Sequence, residues 1–269
     1  MPTNINFDKK LGISGGTNII LHSVSPTPPS FADTNSFQLD GATDCFAGST
    51  SYTELANETK ATFSFWIKPS SSGVILSVGR ASSTPSYSQF MIILSGNSML
   101  LFMNDTLSNY RRYGNFTSIP LGVWQHFIVS VDLTNADKAK MYQDGVEATS
   151  YTKNLALVTS FNSSPSSLYI GKNALGYSTP FGGNIDEVSI WKSESLRSAS
   201  DVAEIYNGGL PNDLNNLPTA PQPTTWFRMG ENATWNGSKF VMTDVNGGYV
   251  NTSIGITPSD PNPTTDVPT

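Results

Sequence analysis

The chain consists largely of short segments in which apolar and polar residues alternate and which end at turn-forming residues. The segment "ATFSFWIKP" places Phe63, Phe65 and Ile67 on one side, and Pro69 ends it. The segment "VWQHFIVSVDL" alternates in the same way over eleven residues. Successive side chains of a strand point to opposite faces, so each segment predicts a strand with one buried face. A chain built from such segments is restricted to an all-β fold.

Turn signals join these segments into hairpins. "SQFMIILSG" and "SMLLFMND" are connected by "SGNS", and "KAKMYQDGVEATSY" contains the Asp-Gly pair that favours a tight hairpin turn. Many short strands separated by turn signals predict an antiparallel β-sandwich.

One segment predicts a helix. "SASDVAEIYNGG" offers Ser198 or Ser200 as the N-cap and Gly208 as the stop. The helix is short, and we expect it to pack on the edge of the sandwich. Its apolar stripe consists of Val202, Ile205 and Tyr206.

Changes in composition divide the chain into three parts. Residues 1–34 are irregular and contain "SPTPPS", which indicates an N-terminal arm with a stiff linker. Residues 35–217 hold the strand-like segments and the helix. Residues 218–269 form a C-terminal extension that we expect to pack on the sandwich or on a neighbouring subunit. Its last segment, "TPSDPNPTTDVPT", predicts a partly extended tail.

The charge of the chain disfavours some partners. Charged residues make up 13% of the sequence, against roughly 25% in an average soluble protein. The formal net charge is −6, and the only adjacent arginine pair is Arg111 and Arg112. Nucleic-acid binding requires clustered positive charge, so we expect no nucleic-acid partner. No apolar run reaches the length of a membrane span.

Cys45 is the only cysteine, which excludes an intrachain disulfide and favours a small buried apolar side chain. The first residues, "MPTNINFDKKLG", have no apolar stretch of the kind found in secretory signals. We therefore expect synthesis in a cytoplasm without a signal peptide.

A group of segments carries a resemblance to a known family. In this order they resemble the laminin-G-like modules of the concanavalin A-like lectin/glucanase superfamily, over about residues 35–209. The resemblance implies a jelly-roll sandwich in which Asp186 and Glu187 mark the final strand. The segments are "FQLDGATD", "ATFSFWIKP", "GVWQHFIVSVD", "AKMYQDGVEAT", "LYIGKN", "FGGNIDEVSIW" and "SASDVAEIYNGG".

The order of one motif differs from that family. Its modules usually begin with a segment like "W-x-F-x-E", whereas here the similar segment "TWFRMGENATWNGSKFVMTDVNGG" follows the sandwich. The chain is then either arranged as a circular permutation that closes its own sandwich, or its extension completes a neighbour. The motif order also resembles structural proteins of tailed bacteriophages.

The sequence does not favour catalysis. Glucanases of the superfamily carry E-x-D-x-E on one strand, which this chain lacks, and hydrolysis requires two carboxyl groups within reach of one bond. In a regular strand, "IDEV" would place Asp186 and Glu187 on opposite faces. His126 has no nucleophile motif beside it. We therefore expect a protein that is not an enzyme.

Two kinds of binding site are expected. Many relatives bind calcium at the rim of the sandwich, and the resemblance implies Asp40, Asp44 and Asp186 as ligands. The same side chains serve equally well as turn and strand-end residues. Aromatic side chains offer platforms for sugars. Trp66, Trp124 and Trp191 lie in strand patterns and favour core packing, so the predicted glycan contacts are the loop or strand-end residues Tyr87, Tyr110, Tyr113 and Tyr177.

Together these features predict a non-enzymatic protein on the surface of a bacteriophage virion, such as a capsid decoration protein, a head fibre or a tail adhesin component. Other virion proteins, a host surface glycan and further copies of this chain are the expected partners. A free or secreted carbohydrate-binding lectin is the alternative hypothesis, and a polysaccharide hydrolase is a weaker one.

Overall fold

Seventeen strands form two antiparallel sheets in the described part of the computed structural model, which covers residues 31–80, 90–104, 109–136, 139–152, 158–161, 165–173, 179–193, 197–257 and 262–269. In chain order the strands are β1 Phe37–Asp40, β2 Cys45–Gly48, β3 Lys60–Ser71, β4 Gly73–Arg80, β5 Phe90–Ser95, β6 Ser98–Asn104, β7 Asn109–Asn115, β8 Gln125–Asp132, β9 Ala139–Gln143, β10 Val146–Glu147, β11 Ser150–Thr152, β12 Pro165–Ile170, β13 Gly182–Lys192, β14 Thr225–Phe227, β15 Ala233–Trp235, β16 Phe240–Thr243 and β17 Val250–Ile254.

The strands divide between a seven-stranded and a ten-stranded sheet. The first has the order β1-β13-β3-β8-β9-β10, with β14 also paired to β13. The second has the order β11-β7-β6-β5-β4-β12-β2-β17-β16-β15. The predicted all-β, antiparallel sandwich is confirmed.

The alternation seen in the sequence sets the core between the sheets. Phe63, Phe65 and Ile67 of β3 are completely buried in it, as are Phe127 and Val129 of β8. The predicted hairpins are present. Ser95 pairs with Ser98, and Gln143 pairs with Val146 across a turn whose two central residues have positive φ, as an Asp-Gly turn requires.

The helix α1 spans Ala199–Tyr206 and covers the outer face of the seven-stranded sheet. Ser198 is its N-cap and forms a capping box with Asp201. Val202 and Ile205 are buried against residues that point outward from β8, β9 and β13. The helix therefore lies on a face of the sandwich, whereas the sequence placed it at an edge. Within the described residues, two single 3-10 turns span Thr53–Leu55 and Asn207–Gly209.

The C-terminal extension belongs to the sandwich of its own chain. β17 pairs with β2 and β14 pairs with β13, so the extension adds strands to both sheets. Residues 31–269 form one compact unit, and residues 1–30, most of the predicted arm, lie outside the described residues. Of the two alternatives for the extension, the structure shows closure within the chain.

The last residues follow the free edge of β1. Ser36 and Thr264 exchange backbone hydrogen bonds of 2.8 and 2.9 Å. Asp266 accepts hydrogen bonds from Lys68 Nζ and Trp124 Nε1. The tail thus covers a strand edge that would otherwise present unpaired backbone groups.

Candidate functional site

Two of the predicted calcium ligands are satisfied by their own loop. Asp40 Oδ1 accepts hydrogen bonds from the backbone N–H groups of Ala42, Thr43 and Asp44. Asp44 Oδ2 accepts one from the backbone of Asp40. Partial burial raises the pKa of Asp40, but the backbone hydrogen bonds outweigh it and hold this pKa below its usual value. These hydrogen bonds stabilise the loop as a turn.

The third predicted ligand lies elsewhere. β1 pairs with β13 so that Asp40 faces Gly182 and Phe37 faces Ile185. Asp186 is four residues beyond Gly182, which is about 13 Å along a strand. The structure therefore does not bring Asp40 and Asp44 together with Asp186.

A β-bulge determines where Asp186 points. Its partner in β3 is Trp66, and the register shifts before Ser189, which pairs with Ser64. Glu187 has a φ of 49°, the left-handed conformation found in bulges. The flanking Ile185 and Val188 both enter the core, so the two acids between them both point outward. The expectation that Asp186 and Glu187 lie on opposite faces is wrong.

The bulge completes a cluster of four carboxylates. One oxygen from each side chain lies within 4.8 Å of the others. Asp186 is completely buried, Glu187 is 3% exposed, and the other two side chains are half-buried. The members come from the segment before β1, from β13 and from the loop after β14: Asp33, Asp186, Glu187 and Glu231.

The hydrogen bonds of the cluster are unevenly distributed. Glu187 accepts from Trp226 Nε1 at 2.5 Å and from Arg228 Nε at 3.1 Å. Glu231 Oε1 accepts from the backbone N–H groups of Thr34 and Asn35. Among the described residues, no donor reaches either oxygen of Asp33, Asp186 Oδ2 or Glu231 Oε2. These oxygens therefore accept no hydrogen bond from the described residues.

The electrostatics agree with this geometry. Burial, and then the neighbouring charge of Glu231, raises the pKa of Asp33 to about 7. Burial raises the pKa of Glu187 to about 8, although Arg228 lowers it. Burial and the charge of Glu187 raise the pKa of Asp186 well above its usual value. Four carboxylates packed together need protons or a cation.

The sequence missed Asp33 and Glu231. Glu231 belongs to "TWFRMGEN", a segment recognised through its resemblance to the family, but no role followed from that resemblance. Asp33 stands in the irregular segment "FAD", which has no pattern of its own.

A separate open cleft lies where the extension meets the rest of the chain. Its volume is about 460 Å³. Hydroxyl, amide and carboxyl groups dominate its lining, which includes Glu54 and Asp244. Asp244 accepts hydrogen bonds from three backbone N–H groups of its own loop, and Glu54 pairs with Lys192 Nζ at 2.5 Å. The lining also includes Ser49, Thr50, Ser51, Thr53, Asn246 and Tyr249.

A serine, a histidine and an acid also meet beneath helix α1. Ser64 Oγ lies 2.7 Å from His126 Nε2, and both residues line a cavity with Glu187. This cavity has a volume of about 10 Å³, enough for one water molecule. The three side chains are at most 3% exposed, so the arrangement has no room for a substrate.

The predicted glycan contacts are only partly described. Tyr87 and Tyr177 lie outside the described residues, and the side chain of Tyr110 is not described either. Tyr113 is half-buried in the middle of β7, where it packs on a patch formed by Val74, Met91, Leu100 and Phe102. Of the tryptophans, Trp66 and Trp191 are buried, Trp124 is half-buried just before β8, and Trp235 is 38% exposed.

Comparison with known families identifies the fold. The profile of the concanavalin A-like lectin/glucanases superfamily matches residues 40–203, which is more than half of the chain. The chain belongs to this superfamily. The predicted laminin-G-like domain is therefore confirmed. Asp33 and Glu231 lie outside the matched residues, so half of the carboxylate cluster comes from segments that the family profile does not include.

Solved structures share this fold. A native heptameric SAP-like pentraxin from Limulus polyphemus is 16% identical over 82% of this chain and 95% of its own, with a TM-score of 0.51. The CBM40 of the Ruminococcus gnavus IT-sialidase is 14% identical over 62% of this chain and 95% of its own (TM-score 0.47).

Tailspike protein 2 from Escherichia coli O157:H7 bacteriophage CAB120 is 16% identical over 66% of this chain and 25% of its own (TM-score 0.46). These likenesses concern the fold alone. None of the curated proteins compared with the chain matches it. No helix in the described residues is long and apolar enough to cross a membrane.

Proposed function

We propose that this chain is a non-enzymatic attachment protein on the surface of a bacteriophage particle, as a capsid decoration protein, a head fibre or a tail adhesin component. The sandwich binds host polysaccharide, and further copies of the chain and other virion proteins are its partners. Membership in a lectin-type superfamily supports the binding role. The composition, with one cysteine and many Asn and Thr residues, supports a location on a phage particle. The order of the motifs, which resembles that of phage structural proteins, supports it as well.

The open polar cleft is the observation that carries the binding role. Its hydroxyl and amide groups suit the hydroxyls of a sugar, and it is accessible from solvent. Its two acids are engaged with Lys192 and with a backbone turn, which favours binding over hydrolysis. We therefore place the glycan in this cleft rather than at the predicted tyrosines.

A matched pair of variants tests the cleft. Ser51→Arg fills it with a long charged side chain, whereas Ser238→Arg places the same change on an exposed turn outside it. We expect the first to reduce binding of the full-length protein to host polysaccharide at least about tenfold, since a blocked cleft excludes the ligand. The second retains binding. Equal binding by both variants would contradict the proposal that the glycan binds in this cleft.

A separate experiment tests whether the protein is a component of a phage particle. Mass spectrometry of purified virions should detect the chain in a fixed copy number. We also propose that residues 1–30 dock it to the particle, so their deletion should leave folding intact and reduce incorporation. Glycan binding by the soluble chain together with its absence from virions would favour the free lectin.

The hydrolase alternative predicts release of reducing ends from the same polysaccharide. Glu54→Gln should then abolish that release while binding persists. No release by the unmodified chain rejects this alternative.

A further inference from the structure

The carboxylate cluster has a feature that its hydrogen bonds do not explain. Asp186 is completely buried, it belongs to the cluster, and its Oδ2 has no donor among the described residues. Arg228 is the only cation that pairs with these acids in the described residues, and it contacts Glu187. A buried charge without a partner is costly, so this oxygen needs either a proton or a cation, and one cation would neutralise several of these acids at once.

The type and number of the ligands favour one cation. Calcium binds six to eight oxygens in flexible geometry and accepts several carboxylates, whereas magnesium is usually held by one or two carboxylates and keeps several waters. A cluster of carboxylates from three segments of the chain therefore favours calcium.

The unpartnered atoms identify the ligands. Asp33, Asp186 and Glu231 each present at least one oxygen that accepts no hydrogen bond. Both oxygens of Glu187 are occupied by Trp226 and Arg228, so this residue contributes charge beside the ion and anchors the wall of the site.

We propose that Asp33, Asp186 and Glu231 bind one calcium ion, with Glu187 beside it. This ligand set differs from the one that the family resemblance implied, because Asp40 and Asp44 are absent from it. It shares only Asp186, and it recruits one residue from each segment that flanks the matched domain. The proposal is independent of the proposed function.

The ion would fasten three separate parts of the chain. Asp33 precedes β1, Asp186 lies in the last strand of the matched domain, and Glu231 follows β14. The two flanking segments already touch, because Gly230 packs on Asn35 and Glu231 Oε1 accepts from Thr34 and Asn35. Calcium would therefore fix the C-terminal extension to the start of the sandwich.

Calorimetry and thermal unfolding of the full-length, chelator-treated protein test the site. We expect one calcium ion per chain and a Tm that rises by about 5–10 °C at a calcium concentration a hundredfold above Kd. Magnesium at the same concentration should shift the Tm much less. No heat of binding and no shift of Tm at millimolar calcium would overturn the proposal.

Charge-neutralising variants separate a ligand from a merely structural residue. Asp186→Asn and Glu231→Gln should weaken calcium binding by about tenfold or more, because each removes a charged ligand. Without calcium they should unfold at an equal or higher Tm than the wild type, because they relieve repulsion. Asp40→Asn is the matched control and should retain both calcium binding and the calcium-dependent Tm shift. Loss of calcium binding in this control, with retention in Glu231→Gln, would move the site to the loop after β1 and overturn the assignment.

Discussion

One irregularity of the backbone, the bulge in β13, determines the surroundings of the two acidic side chains within it. Asp186 and Glu187 are neighbours in sequence, and both face outward because the bulge in β13 interrupts the alternation of the strand. The same outer surface holds His126, which is 1% exposed and bonded to Ser64. Residues on this surface are buried by the helix and by the loops that follow it. Their protonation is therefore coupled to folding.

The buried histidine predicts a pH dependence of stability. Burial lowers the pKa of His126 to about 3, below its usual value of 6.5. Above pH 6.5 both the folded and the unfolded states are neutral at this residue. Below it the unfolded state takes up a proton that the folded state cannot, so the free energy of unfolding falls. The loss at pH 5 should be about 2 kcal/mol.

The contribution of His126 to the free energy of unfolding is measured by denaturant unfolding between pH 8 and pH 4. The calcium concentration is kept constant. Between pH 7 and pH 5 the stability of His126→Gln relative to the wild type should rise by about 2 kcal/mol, because the buried acids contribute equally to both proteins. His22→Gln, at the only other histidine, is the control and should keep the wild-type slope. Identical slopes for all three proteins would contradict the assignment.

At the scale of elements, the local signals in the sequence determine where strands and the helix begin and end. The capping box of Ser198 and Asp201 starts α1, and Asn207 ends it in the left-handed conformation. The hydroxyl of Ser198 accepts from the backbone N–H of Asp201. The sequence left Ser198 and Ser200 as equal candidates for this position. The structure assigns the cap to Ser198.

Alanine substitutions distinguish the two serines. Ser198→Ala should lower the free energy of unfolding by about 1 kcal/mol, because one helix N–H loses its acceptor. Ser200→Ala removes an exposed hydroxyl and should change it by less than about 0.5 kcal/mol. Thermal unfolding of both proteins under the same conditions gives the comparison. A larger effect of Ser200→Ala would reassign the cap.

At the scale of the whole molecule, the extension is an integral part of the sandwich. Phe227 and Met242 are completely buried in the core between the sheets, and β17 closes the edge of β2. The tail then covers β1 through Thr264. The strands that complete both sheets are therefore supplied by residues after the matched family domain.

A core substitution in the extension tests this integration. Phe227→Ala should lower the free energy of unfolding by about 3–5 kcal/mol, because it leaves a cavity in the main core. Trp235→Ala is the control on the exposed part of the extension and should cost much less. Chemical denaturation at two protein concentrations measures both. A small effect of Phe227→Ala in dilute monomer would show that the extension packs on a neighbour.

The sequence by itself determined the fold class, the hairpins, the helix and the family, because these depend on local periodicity and turn chemistry. Only the tertiary structure decided that Asp186 joins Asp33 and Glu231 rather than Asp40. A bulge adds one residue to one strand and has no fixed sequence signature, and the cluster unites residues almost two hundred positions apart. The position of the extension also depended on tertiary structure, since β14 and β17 pair with whichever strand edges the rest of the fold leaves open.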